Sequence, residues 1–120
     1  MILYVEDDAV ISEMYKLRLD AEGYDVRVAV NGREGIELAE KERPDLILLD
    51  ILMEEMDGFD TLRNLKTHIL CKKIPVVMLT NLDGDMIIRQ ARDLGALDLW
   101  VKTKVTPSEV VAGVKKILGK

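Results

Sequence analysis

Short apolar runs alternate with amphipathic stretches along the whole chain. The runs are Ile2 to Val5, Val26 to Val30, Leu46 to Leu49, Val76 to Leu79 and Leu97 to Val101. Each is short and several are rich in Val and Ile, the pattern of strands buried on both faces of a parallel sheet. Between them, Val10, Met14, Leu17 and Ala21 recur at helical spacing, as do Phe59, Leu62 and Leu65. Ile87, Ala91 and Leu94 form another such stripe, and Val110, Val114 and Ile117 the last. These predict helices with apolar faces. Asn31 with Glu34, and Thr106 with Glu109, read as capping boxes, and Pro107 fits a first helical turn. Gly95 suits a helix C-terminal cap, while Pro44 and Pro75 each precede a strand.

The order is therefore β-α repeated five times, with no Gly/Ser linker, low-complexity segment or sequence repeat. Such alternation implies right-handed crossovers and helices on both faces of one parallel sheet. The expected fold is a flavodoxin-like (βα)5 doubly wound sheet with strand order 2-1-3-4-5, filling residues 1–120 as a single domain. That order puts the topological switch point between the first and third strands, so a ligand is expected beyond their C-terminal ends.

Composition narrows the function classes. A hydrophobic fraction of 48% supports an ordinary buried core and argues against disorder. The net charge of -5 leaves no electrostatic footprint for direct nucleic-acid binding or for an anionic membrane. The single cysteine, Cys71, excludes an internal disulfide framework and suits a reducing compartment. No signal peptide or membrane-spanning run is evident, so a soluble cytoplasmic domain is expected.

The chemistry lies at the predicted strand ends. The first strand runs into Glu6-Asp7-Asp8, and Asp50 directly follows the third apolar run. Carboxylates meeting there repel one another, and without a cation at least one has its pKa raised. A cluster so costly for stability points to a function. A few hard oxygen ligands suit Mg2+, and a carboxylate can itself act as a nucleophile toward a phosphoryl group. Asp8 alone has a simpler reading as a helix cap. Thr80 ends the fourth strand and Lys102 the fifth, which brings a hydroxyl donor and an ammonium to the same edge.

With these residues in place, the chain resembles the receiver domains of two-component response regulators. Ile2-Leu3-Tyr4-Val5-Glu6-Asp7-Asp8 is similar to their opening strand and acidic pair. Asp45-Leu46-Ile47-Leu48-Leu49-Asp50 followed by Met56-Asp57-Gly58 is similar to the phosphoacceptor segment. Met78-Leu79-Thr80 and Val101-Lys102 match the remaining landmarks, so that the likeness extends over residues 2–118. It implies that Asp50 accepts a phosphoryl group from a phosphohistidine on a histidine kinase or histidine phosphotransfer protein. It implies direct Mg2+ ligation by Asp7, Asp50 and the Leu52 carbonyl, with Glu6 acting through water. Thr80 and Lys102 would bind phosphoryl oxygens, and a downstream protein or effector domain would receive the signal. The domain would assist its own phosphorylation and dephosphorylation without being an enzyme in the ordinary sense.

Four positions depart from the family pattern. Glu54 stands where a proline is usual and Asn81 where a small residue is usual. Leu99 replaces the common aromatic switch residue, and Thr103 replaces a proline. They motivate a second reading, a receiver-like protein-binding module that no longer depends on phosphorylation. With Leu99 in that position, the switch is expected to be read through Asn81, Leu82 and Asp83. An aspartate-nucleophile phosphatase generally needs an acid two residues after the nucleophile, where this chain has Leu52.

Other residues read as structural. His68 is expected late in the third helix as a solvated surface residue, and Cys71 as structurally incidental. The six methionines are expected to fill the core, and Trp100 to pack on the fifth strand. Lys115, Lys116 and Lys120 complement the dipole of the last helix.

Overall fold

A computed structural model describes residues 1–120. Five parallel strands form one sheet in the order β2-β1-β3-β4-β5, as the alternation predicts. The strands are β1 (Ile2–Val5), β2 (Val26–Ala29), β3 (Leu46–Leu49), β4 (Val76–Thr80) and β5 (Asp98–Val101). The helices are α1 (Ala9–Ala21), α2 (Gly32–Glu42), α3 (Gly58–Thr67), α4 (Asp85–Asp93) and α5 (Pro107–Leu118).

Alternation along the strands divides the core in two. Leu3, Val5, Ile47, Leu49, Val76 and Met78 face α2, α3 and α4. Ile2, Tyr4, Leu46, Leu48, Val77 and Leu79 face α1 and α5. Leu99 packs with the first group and Trp100 with the second, so the two point to opposite faces. The Trp100 ring covers Gly113 of α5, where an added Cβ would lie 2.6 Å from it. Packing is thus what Trp100 does.

Caps follow the expected residues with one difference. Thr106 and Glu109 exchange both bonds of a capping box. Asn31 accepts from the Glu34 amide at 2.8 Å, but the return bond is missing, so that pair closes only half of its box. After α4, the amide of Gly95 bonds Arg92 and that of Ala96 bonds Ala91, with Gly95 at φ +100°. Glycine adopts that conformation without a Cβ penalty.

The predicted face of α1 is overturned. The helix forms, but Val10 is 79% exposed and Leu17 61% exposed. Ser12, Tyr15 and Leu19 are the buried residues instead. Two stripes compete on this helix, and the winning one carries the larger aromatic surface. Tyr15 meets Tyr4 edge-on with ring centroids 6.0 Å apart, a favoured aromatic geometry.

Three further residues also differ from expectation. Cys71 is not incidental: it is fully buried in the α2–α4 half of the core. Turns in which Cys71 and Lys72 both bond back to the His68 carbonyl tuck it inward. Burial pushes its thiol pKa up, and Glu40 adds to the shift. Its alkylation in the folded protein is expected to run roughly a hundredfold slower than in denaturant. Equal rates, followed by mass spectrometry, would contradict that burial. His68 caps α3 rather than lying within it, and it is only partly exposed. Its Nδ1 accepts from the Leu70 amide at 3.1 Å. Among the methionines, core filling explains Met78 but not Met86, which is exposed.

Candidate phosphotransfer site

The parallel register brings the predicted residues to one edge. Val5 pairs with Leu49, Leu49 with Met78, and Thr80 with Val101. The residues that follow these strands, Glu6, Asp50 and Lys102, therefore emerge side by side. Backbone bonds hold the strand ends together: Asp50 N–H donates to the Val5 carbonyl at 3.1 Å, and Lys102 N–H to the Thr80 carbonyl at 2.8 Å.

One carboxylate oxygen from each of Glu6, Asp7 and Asp50 lies within 4.8 Å of the other two. Glu6 is 1% exposed and Asp50 5% exposed, while Asp7 faces solvent at the rim. The Lys102 ammonium pairs with Glu6 Oε1 and lies 3.3 Å from Asp50 Oδ2. Asp50 Oδ1 accepts from the Ile51 amide at 2.8 Å. One ammonium thus faces two nearly buried carboxylates, and the remaining charge is negative. Burial raises the Glu6 carboxyl pKa above its ordinary value and the Asp50 charge adds to this, with Lys102 opposing both. Such an arrangement attracts a cation.

Asp8 stays outside this group. Its Oδ1 accepts from the amides of Val10 and Ile11 and caps α1, the simpler of its two readings. Leu52 lies two residues past Asp50 and lines an open cleft with Asp7, Met53, Glu54 and Leu82. Thr80 is fully buried at the end of β4, and its Oγ1 accepts from the Leu82 amide at 3.3 Å. The loop beyond Asp50 is held by Gly58: its amide donates to the Ile51 carbonyl at 2.8 Å. A Cβ on Gly58 would overlap the Asp50 carbonyl oxygen, so α3 can start this close only with glycine there. Asp57 caps the same helix by accepting from the Asp60 amide.

The four departures from the family pattern all lie around this edge. Glu54, Asn81 and Thr103 are exposed, and Leu99 is half-buried. Lys104 and Asp83 form an ion pair between the loops that follow β5 and β4.

Sequence reasoning missed Tyr4. Its hydroxyl donates to Glu6 Oε1 at 3.0 Å from a fully buried ring. Burial, with the Glu6 charge second, pushes the phenol pKa far up, so that it remains a donor. The signal was available: Tyr4 lies on β1 two residues before Glu6, which follows the strand directly, and the alternation of side chains places both on one face.

Fold and site together define a phosphotransfer signalling module of the doubly wound α/β class. The response regulator receiver domain profile matches residues 2–115, and the chain belongs to that family. It is 38% identical over 117 residues to the alkaline phosphatase synthesis transcriptional regulatory protein PhoP of Bacillus subtilis (strain 168). That match covers 98% of this chain and 48% of the relative, so the chain spans about half the length of the curated relatives it matches. The BeF3-activated N-terminal receiver domain of Klebsiella pneumoniae RstA superposes with a TM-score of 0.90 at 33% identity, covering 99% of this chain and 98% of that one. The Vibrio cholerae chemotaxis protein CheY4 gives a TM-score of 0.90 at 28% identity, covering 97% and 96%. The chain is a receiver domain of the two-component type, a signalling domain.

Proposed function

We propose that the domain is switched by phosphorylation of Asp50, with a phosphohistidine of a histidine kinase or histidine phosphotransfer protein as donor. The observation that carries this reading is the convergence of Glu6, Asp7 and Asp50, with Lys102 facing two of them. An Asp50 oxygen attacks phosphorus and the P–N bond of the donor breaks. An acyl phosphate forms, and the departing imidazole nitrogen takes up a proton.

The carboxylate set fits a hard divalent ion, since its donors are all oxygen and Asp7 opens to solvent. Asp7, Asp50 and the Leu52 carbonyl would hold Mg2+ directly, and Glu6 through water. When bound, Mg2+ would neutralise negative charge on the carboxylates and the transferring phosphoryl oxygens. Lys102 and the Thr80 hydroxyl are assigned to the phosphoryl oxygens. Residues 1–120 act as one unit in this reading, in the cytoplasm, without direct nucleic-acid contact. No helix is long and apolar enough to cross a membrane. A downstream protein or effector domain receives the signal, and the domain assists its own phosphorylation and dephosphorylation.

Incubation with acetyl phosphate and Mg2+ is expected to add one phosphoryl mass to the intact protein, and omission of Mg2+ to suppress the addition. No added mass under either condition would favour the phosphate-independent binding module. Mg2+ alone is expected to raise the melting temperature, because a hundredfold excess over Kd adds about 2.7 kcal/mol. Asp7→Asn is expected to stabilise the metal-free protein while weakening Mg2+ binding. A metal-free Asp7→Asn protein that melts below the wild type would contradict the crowding of charge.

A further inference from the structure

Tyr4, Glu6 and Lys102 form a buried chain of donors and acceptor that the roles assigned above do not fully use. Glu6 Oε1 receives two donors, the Tyr4 hydroxyl at 3.0 Å and the Lys102 ammonium. Glu6 Oε2 has only the Asp8 amide, at 3.3 Å. The carboxylate is almost wholly removed from water, so any donor it loses cannot readily be replaced by solvent.

A phosphoryl group on Asp50 would compete for Lys102, which already reaches Asp50 Oδ2 at 3.3 Å. If the ammonium turned to it, Glu6 would lose its directly paired cation and its strongest hydrogen bond together, and its only cation link would be to Mg2+ through water. The Tyr4 hydroxyl is the donor that stays on the same oxygen. It cannot drift away, because Tyr4 lies between Val28 and Leu48 in the sheet and its ring packs edge-on against Tyr15. Nor is any buried polar side-chain atom left without a partner, so the Tyr4 bond is part of a fully satisfied network.

We infer that Tyr4 is a positioning residue of the switch: its hydroxyl retains Glu6 so that Lys102 can be handed over to the phosphoryl group. This inference rests on the phosphotransfer reading of the site. In the resting state Lys102 compensates Glu6 and the hydroxyl matters little. In the phosphorylated state the hydroxyl matters most. Its contribution therefore appears as a difference between states, which a tyrosine that served only the core would not produce.

Beryllofluoride with saturating Mg2+ serves as the phosphoryl mimic, and its affinity is measured by calorimetry. Tyr4→Phe keeps the ring and is expected to weaken beryllofluoride binding roughly five- to tenfold, the scale of one typical net hydrogen bond. In a Glu6→Gln background the same substitution is expected to change affinity by less than about twofold, because the buried charge it served is gone. Urea unfolding without the mimic checks that Tyr4→Phe retains the fold. Unchanged affinity in Tyr4→Phe would overturn the inference, as would an equal loss in both backgrounds. Failure of the wild-type protein to bind beryllofluoride would overturn the underlying phosphotransfer reading, and this inference with it.

Discussion

Asp50→Asn is expected to abolish phosphoryl uptake from acetyl phosphate, leaving the intact mass unchanged under conditions that fully label the wild type. The three clustered acids are not equivalent. Glu6 is almost completely buried, and both of its oxygens already accept hydrogen bonds from Tyr4, Lys102 and the Asp8 amide. Asp7 sits at the exposed rim and has no ion pair with Lys102. Asp50 has one oxygen fixed by the Ile51 amide and the other beside Lys102. It also directly follows β3, one of the two strands that border the switch point of the sheet. Asparagine preserves the shape and the Ile51 bond but supplies no carboxylate nucleophile. Labelling that persists in Asp50→Asn, located by peptide mass analysis, would reassign the phosphoacceptor.

Lys102→Met is expected to destabilise the metal-free protein by roughly 3 kcal/mol, the scale for removing one partner of a buried ion pair. Lys102 is the cation that pairs with both Glu6 and Asp50, and its side chain is 8% exposed. Methionine fills most of the same volume, so the loss would report charge rather than a cavity. Adding Glu6→Gln to Lys102→Met is expected to restore a large part of the stability, since only one buried carboxylate then remains. A double-mutant cycle in urea measures that coupling. The variant is also expected to regain stability as pH falls. A carboxyl whose folded pKa is raised binds its proton more tightly in the native state, so protonation favours folding. Burial already raises Glu6 in the presence of Lys102, and removing the ammonium takes away an opposing effect. A Lys102→Met protein as stable as the wild type across pH would show that the pair does not govern this edge.

The order of the sheet and the location of the site were both legible in one dimension. Five apolar runs with helical stretches between them permit few topologies once right-handed crossovers are required. An acid, a hydroxyl or a lysine at the end of such a run must then emerge at the same edge. Glu6, Asp7, Asp50, Thr80 and Lys102 could therefore be assembled from strand ends alone. Asp8 could also be read correctly as a cap, because capping is a local interaction between a side chain and amides two and three residues away.

What the pattern left open depends on contacts between distant segments. In α1 two stripes were available, and the burial of Tyr15 and Leu19 was decided by the surface offered by β1 and α5. Cys71 looked like a loop residue until the turns after α3 folded it into the core. The requirement for Gly58 comes from the approach of α3 to the Asp50 backbone, which no periodicity encodes. The sequence by itself determined strand order and edge residues, because both follow from local periodicity and the handedness of the chain. Tertiary structure alone decided that Lys102 meets Glu6 across 96 residues, and that Tyr4 shares the same oxygen. Burial makes those bonds matter: a carboxylate cut off from water depends on the few donors that packing places beside it.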